Sequence, residues 1–219
     1  MTDNDPFASV TCEQIAEAVR EFNRGLGARH ALAVRAALVV AQTLPPSLGR
    51  FVAEVCVVAD GLSIPFFQFE DRLAMAEGIE TGWQLFQSAQ SQHSDDWDAE
   101  TTMLLGTVTD LENRTNLLPT PGAKRRQLSF LSKYLHFCIN DAFPIFDSNA
   151  KKVLGGDWEP SWESYKKWLS LVRQEVTNHK ECLEQVRLPG ESLVRTLDKA
   201  LYIIGSGPPG EKEDVNESV

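Results

Sequence analysis

Apolar residues recur every three or four positions along almost the whole of this chain, and hardly any segment alternates with period two. That spacing lines one face of successive α-helices and leaves no pattern for a half-buried strand. The expected fold is all-α, a compact multi-helix bundle. At 219 residues and 42% apolar, the chain can bury a substantial core. Residues 1–205 read as a single helical domain with a seam or turn at 113–122, where two prolines fall. Residues 206–219, Gly/Pro-rich and acidic, read as a disordered tail.

Local signals place the elements. Thr11 with Gln14 forms a capping box for a helix to about Phe22, broken by Gly25 and Gly27. A second helix, about 28–43, is nearly all apolar and is expected at the centre of the bundle. A third runs from Ser47 to about Ala59. Residues 69–92 read as one long or kinked helix with Gly78 and Gly82 as weak points. Asp95 or Asp96 is placed to cap a helix through Leu111. Beyond the middle of the chain, Gly155 and Gly156 end a short helix, Pro160 and Ser161 precede another, and a last helix spans about 191–204.

The formal charge of −10 argues against a bulk nucleic-acid binder. Its distribution is uneven. Residues 1–110 hold 16 acids and 6 bases and residues 153–219 hold 12 and 8, whereas residues 111–152 hold 3 acids and 7 bases. A locally basic segment in an acidic protein can meet a phosphate backbone on one face; the same count also fits ordinary variation. Cys12, Cys56, Cys138 and Cys182 lie far apart, which excludes the usual zinc spacing and gives no disulfide framework. Reduced thiols in a cytoplasmic protein are the expectation, with no metal and no cofactor. No stretch has the length of a signal peptide or a membrane span, so no membrane partner is expected.

The chemistry concentrates in residues 124–155, KRRQLSFLSKYLHFCINDAFPIFDSNAKKVLG. A basic cluster, Lys124, Arg125 and Arg126, opens a helix with Phe130, Tyr134, Phe137 and Ile139 on a broad apolar face. Ser129, Ser132, Lys133 and His136 share a narrower polar arc. Pro144 ends any helix by residue 143, and Asp147 is placed to cap the next helix from Ser148. A lysine on one helix and a carboxylate at the mouth of the next can do covalent chemistry around one cavity, or can form a structural ion pair.

Ser132, Lys133, the helix through Cys138, Pro144, Asp147 and Ser148 resemble the catalytic segment of the helix-hairpin-helix DNA glycosylases. The likeness is nearest to a compact branch similar to 8-oxoguanine glycosylase, where a phrase like SFASKYLHF…FPIYDS recurs. The resemblance covers residues 124–155 and implies a divergent helix-hairpin-helix fold acting on damaged double-stranded DNA. It gives Lys133 the role of nucleophile toward the sugar C1′ and Asp147 that of stabilising the sugar cation. The segment departs from the family in lacking the Gly-hydrophobic-Gly turn before the lysine, and in a Lys133-to-Asp147 spacing of 14 residues, shorter than usual.

A flipped base needs stacking partners and polar contacts. Phe143, Phe146, Trp158 and Trp162 are the candidate stackers; His136, Asn140, Asn149 and Gln127 are the candidate polar contacts. Tryptophans at helical spacing are equally read as core. Phosphate contacts would fall to Lys124, Arg125, Arg126, Lys151 and Lys152. The competing expectation is a non-catalytic helical protein, binding nucleic acid or meeting a protein partner through its acidic surface.

Overall fold

A computed structural model describes residues 7, 9–62, 69–90, 97–114, 124–156 and 158–207, and the side chains of residues 26, 69–71, 88, 114 and 124–127 lie outside that description. The described residues form a helical bundle: α1 (Cys12–Arg24), α2 (Leu26–Ala41), α3 (Leu48–Gly61), α4 (Phe69–Thr81), α5 (Trp83–Gln90), α6 (Trp97–Arg114), α7 (Lys124–Tyr134), α8 (Ser148–Leu154), α9 (Trp162–Asn178), α10 (Lys180–Val186) and α11 (Leu193–Ser206). A widened π-turn, Leu135–Ile139, continues α7.

Most starts follow the caps read from sequence. The Thr11 hydroxyl accepts from the Gln14 amide at 3.2 Å and the Thr11 amide donates to Gln14 Oε1 at 2.8 Å. Ser47, Asp147, Ser161 and Ser192 each accept an amide from their own first turn. The helix expected over 69–92 is two, α4 and α5, parted at Gly82. α10 goes unanticipated, because it follows α9 after the single residue His179 with neither glycine nor proline to mark the break. The expected seam and tail fall largely on residues 115–123 and 208–219, outside the described residues, as do Asp95 and Asp96.

The centre of the bundle is α11, not α2. Val194 to Leu201 are all buried, polar residues included, and α11 packs against α1, α8, α9 and α10. α2 instead packs on α1 and α3 at the edge, and leaves Leu32, Val39 and Val40 at 70%, 65% and 69% exposure. An all-round apolar pattern gives no direction for packing. The α8–α11 contact depends on Gly205: a Cβ there would run into the Asn149 backbone.

The expectation of four reduced thiols is also corrected. Cys12 and Cys182 form a disulfide that joins the start of α1 to α10, with Cα atoms 5.3 Å apart and a sequence separation of 170. Sequence spacing could not reveal it, because only the packing of α1 on α10 brings the two together. Cys56 and Cys138 are free.

Candidate active site

α7 is fixed on its apolar side. Leu128, Phe130, Leu131, Tyr134 and Leu135 are fully buried. The Tyr134 hydroxyl donates to Glu54 Oε2 at 2.6 Å, and Arg50 Nε donates to Glu54 Oε1 at 2.8 Å, so the buried carboxylate has both oxygens paired. This clamp to α3 turns Lys133 toward the opposite side of α7. There its Nζ donates to Ser129 Oγ at 3.4 Å.

The loop from Asn140 to Asp147 carries the carboxylate, and almost every polar group along it is held. His136 Nδ1 donates to the Phe143 carbonyl at 2.8 Å. The Tyr165 hydroxyl donates to Pro144 O at 3.0 Å, and Trp168 Nε1 donates to Ile145 O at 3.2 Å. The Ile145 amide donates to Asp198 Oδ2 at 3.4 Å, and the Phe146 amide donates to Ser132 Oγ at 3.0 Å. Asn140 caps the turn internally, accepting from the Ala142 amide at 2.9 Å, and donates to Ala89 O at 3.2 Å. Asp147 then caps α8, accepting from the Ala150 amide at 2.9 Å.

Lys133 and Asp147 line one cavity of about 150 Å³. Its apolar walls include Phe22, Ala31, Phe137 and Ile145, and its remaining polar groups are Arg195 and Asp198 from α11, with His30 and Tyr202 at the mouth. Tyr202 is 41% exposed and His30 is exposed, so the cavity opens beside them. A volume of this order admits a single six-membered ring. Among the described residues, Lys133 and Asp147 close no direct ion pair.

Burial dominates the electrostatics of the site. Burial lowers the Lys133 amine below its ordinary value, and the pull of Asp147 in the other direction does not offset it. Lys133 keeps some exposed surface through the cavity, yet its ammonium is ringed by protein, which is why desolvation wins. Burial pushes Asp198 well above the carboxylate range, with Arg195 opposing. Burial, and then Arg195, push His136 well below the usual imidazole range. His136 Nδ1 also approaches Asp198 Oδ2 at 3.5 Å, and burial disfavours the charged form of both.

The other expected site residues are placed elsewhere. His136 is buried behind the cavity and is not part of its lining. Phe143 and Phe146 are core; Phe146 meets Trp158, Tyr165 and Trp168 edge-on. Trp162 is buried, and Trp158 packs against Trp168 with its Nε1 donating to Gly155 O at 2.5 Å. None of the four offers a free stacking face on the cavity. Asn140 is used up inside its turn. Asn149 is half-buried, its backbone against Gly205. Lys151 sits over the Phe146 ring at 4.2 Å, and Lys152 is exposed. The side chains of Lys124, Arg125, Arg126 and Gln127 lie outside the described residues.

Sequence reasoning missed Phe22, Arg195, Asp198 and Tyr202. A signal was present: Arg195, Asp198 and Tyr202 are spaced three and four apart along a largely apolar helix, one polar stripe on a buried element. Among the described residues, no cluster of His, Cys, Asp or Glu is placed to hold a metal ion, and no helix is long and apolar enough to cross a membrane. No protein-family profile matches the chain, and no curated protein or solved structure is significantly similar to it.

Proposed function

We propose that this chain is a DNA glycosylase with lyase activity, acting on damaged DNA, with oxidised purines as its lesion class. The bundle is read as a divergent helix-hairpin-helix glycosylase fold. The observation that carries this reading is the shared cavity: a lysine whose amine is biased toward its neutral form and an aspartate line the same cavity without pairing. A purely structural ion pair would close.

In this reading the Lys133 Nζ lone pair forms a bond to the sugar C1′ as the glycosidic bond breaks, and the departing base keeps that electron pair and takes up a proton. Loss of a proton from the attached nitrogen and opening of the C1′–O4′ bond give a Schiff base. Removal of a C2′ proton then expels the 3′-phosphate oxygen. Asp147 stabilises the positive charge that grows on the sugar. The cavity volume suits the reacting sugar or one ring, so the rest of a purine would lie toward the mouth beside His30 and Tyr202. Such an enzyme works in the cytoplasm, where the Cys12–Cys182 bridge would be open to reduction.

The test is borohydride reduction of the full chain with duplexes carrying an oxidised purine or an abasic site. The expected result is a covalent protein–DNA adduct lost in Lys133→Ala and kept in Lys180→Ala. No adduct with either duplex would overturn the reading. One observation favours the second reading, a non-catalytic interaction protein: Leu32, Val39, Val40 and Leu44 leave an apolar face on and just after α2 open to solvent.

A further inference from the structure

Arg195 is the wall between the lysine cavity and a second groove. It lines both, at 4% exposure. The groove, of about 330 Å³, runs between α1, α2 and the loop that leads into α11, and it also presents Arg35, Lys199 and Glu191. Lys199 is satisfied: its Nζ donates to Glu191 Oε2 at 2.5 Å and to Asn23 Oδ1 at 2.9 Å. Arg35 is half exposed and reaches Asp141 only at 3.7 Å. Arg195 has neither compensation.

The Arg195 guanidinium lies between the rings of Phe22 and Phe137, at 5.2 and 5.4 Å from their centroids, and its Nε has no hydrogen-bond partner among the described residues. It closes no ion pair there. The carboxyl with the largest pull on it, Asp198, is held toward its neutral form, and Asp198 Oδ1 is likewise unpartnered; Glu191 and Asp141 pull more weakly, and each already faces another cation, Lys199 and Arg35. Arg35 and Lys199 add repulsion: Arg35 disfavours the charged form of both Arg195 and Lys199. A guanidinium does not escape by losing its proton. Aromatic faces stabilise such a cation only in part, and an unpaired buried charge is costly. In a chain of net charge −10, three cations therefore converge on one groove against a single carboxylate of its lining. What is missing is an anion with oxygens that a fork of N–H donors can grip.

We infer that this groove binds a phosphate group, held by Arg195 from within and by Arg35 at the rim. The site does not require Lys133 to be a nucleophile. A phosphodiester of a nucleic-acid backbone and a free phosphate offer the same chemistry, and the test has an arm for each.

Inorganic phosphate, and separately a short blunt-ended duplex, are titrated into the full chain at low salt and followed by calorimetry and by amide chemical shifts. Saturable phosphate binding is expected, shifting the amides of Arg35 and of the first turns of α11. Arg35→Gln, whose side chain is partly exposed and whose loss should not unfold the bundle, weakens binding about fivefold, and Arg195→Lys, which keeps the charge but loses the fork, about tenfold. Arg20→Gln, on an exposed surface of α1, binds as the wild type does, and so does Lys133→Gln, which separates this site from the lyase reading. If the duplex binds more tightly than phosphate and loses affinity in Arg35→Gln, the source is a nucleic-acid backbone. If only free phosphate is affected, the source is a small molecule. Absence of saturable phosphate binding, or Arg35→Gln and Arg195→Lys equal to wild type in both arms, overturns the inference.

Discussion

The Ser132 hydroxyl accepts the Phe146 amide at 3.0 Å, so the immediate neighbour of Lys133 holds the immediate neighbour of Asp147. The two candidate catalytic side chains share no direct bond. They are placed relative to one another by this fully buried serine, which also donates to Ser129 O at 2.9 Å.

Ser132→Ala tests that linkage. It leaves the buried Phe146 amide without an acceptor, a loss of about 1–3 kcal/mol. Urea denaturation should show a lower midpoint with an unchanged slope, because the exposed surface is the same. Adduct formation should fall as Asp147 loses its register. An unchanged midpoint would mean that the loop is held without the serine.

Lys133 is expected to weaken the fold that holds it. Its folded-state value lies below the ordinary 10.5, so between the two the unfolded chain binds more protons and stability rises with pH. Below the folded value the penalty is fully present. Lys133→Met, which keeps the length and removes the charge, should melt above the wild type at neutral pH, and the gap should narrow as pH climbs toward that of an ordinary lysine. Thermal melts across neutral to alkaline pH check this. A variant less stable than wild type at neutral pH would show the amine to be well paired.

Asp198 carries the opposite sign. Its folded-state value is raised well above 3.8, so stability associated with the protonated form is present in acid and is lost as pH rises through the folded value. Asp198→Asn should melt with the wild type near about pH 3.5 and above it at higher pH. Convergence at high pH instead would mean that the carboxylate is stabilised by Arg195 more than burial disfavours it.

The Cys12–Cys182 bridge constrains a 170-residue separation. Closing a long loop stabilises the fold by about 2–4 kcal/mol, or about 5–15 °C in Tm at this chain length. Melts with and without reductant should differ by that amount for the wild type and not at all for Cys12→Ser. Equal melts for the wild type would show that the helix α1–α10 contact stands without the bond.

Much of the frame was legible because capping is local. Thr11, Ser47, Asp147 and Ser161 each announce a helix within three residues of sequence, and each caps one. That Lys133 and Asp147 would line one cavity was legible for a similar reason: a helix, a proline-broken turn and a cap leave the second residue few places to go. What brings Arg195, Asp198 and Cys182 to their partners is the docking of α11 and α10 on α1 and α8, contacts spanning much of the chain. No short-range pattern encodes them. α2 misled in the same way, since its apolar residues on every side could not say which of them would be covered.

The most direct measurement is to map the residue trapped when the full chain is reduced with borohydride on a duplex bearing an abasic site, by digesting the adduct and sequencing the modified peptide by mass spectrometry. The account predicts modification at Lys133, with the yield reduced in Asp147→Asn. Modification at Lys151, Lys152 or another exposed lysine, or a protein that leaves the duplex unmodified, would contradict it.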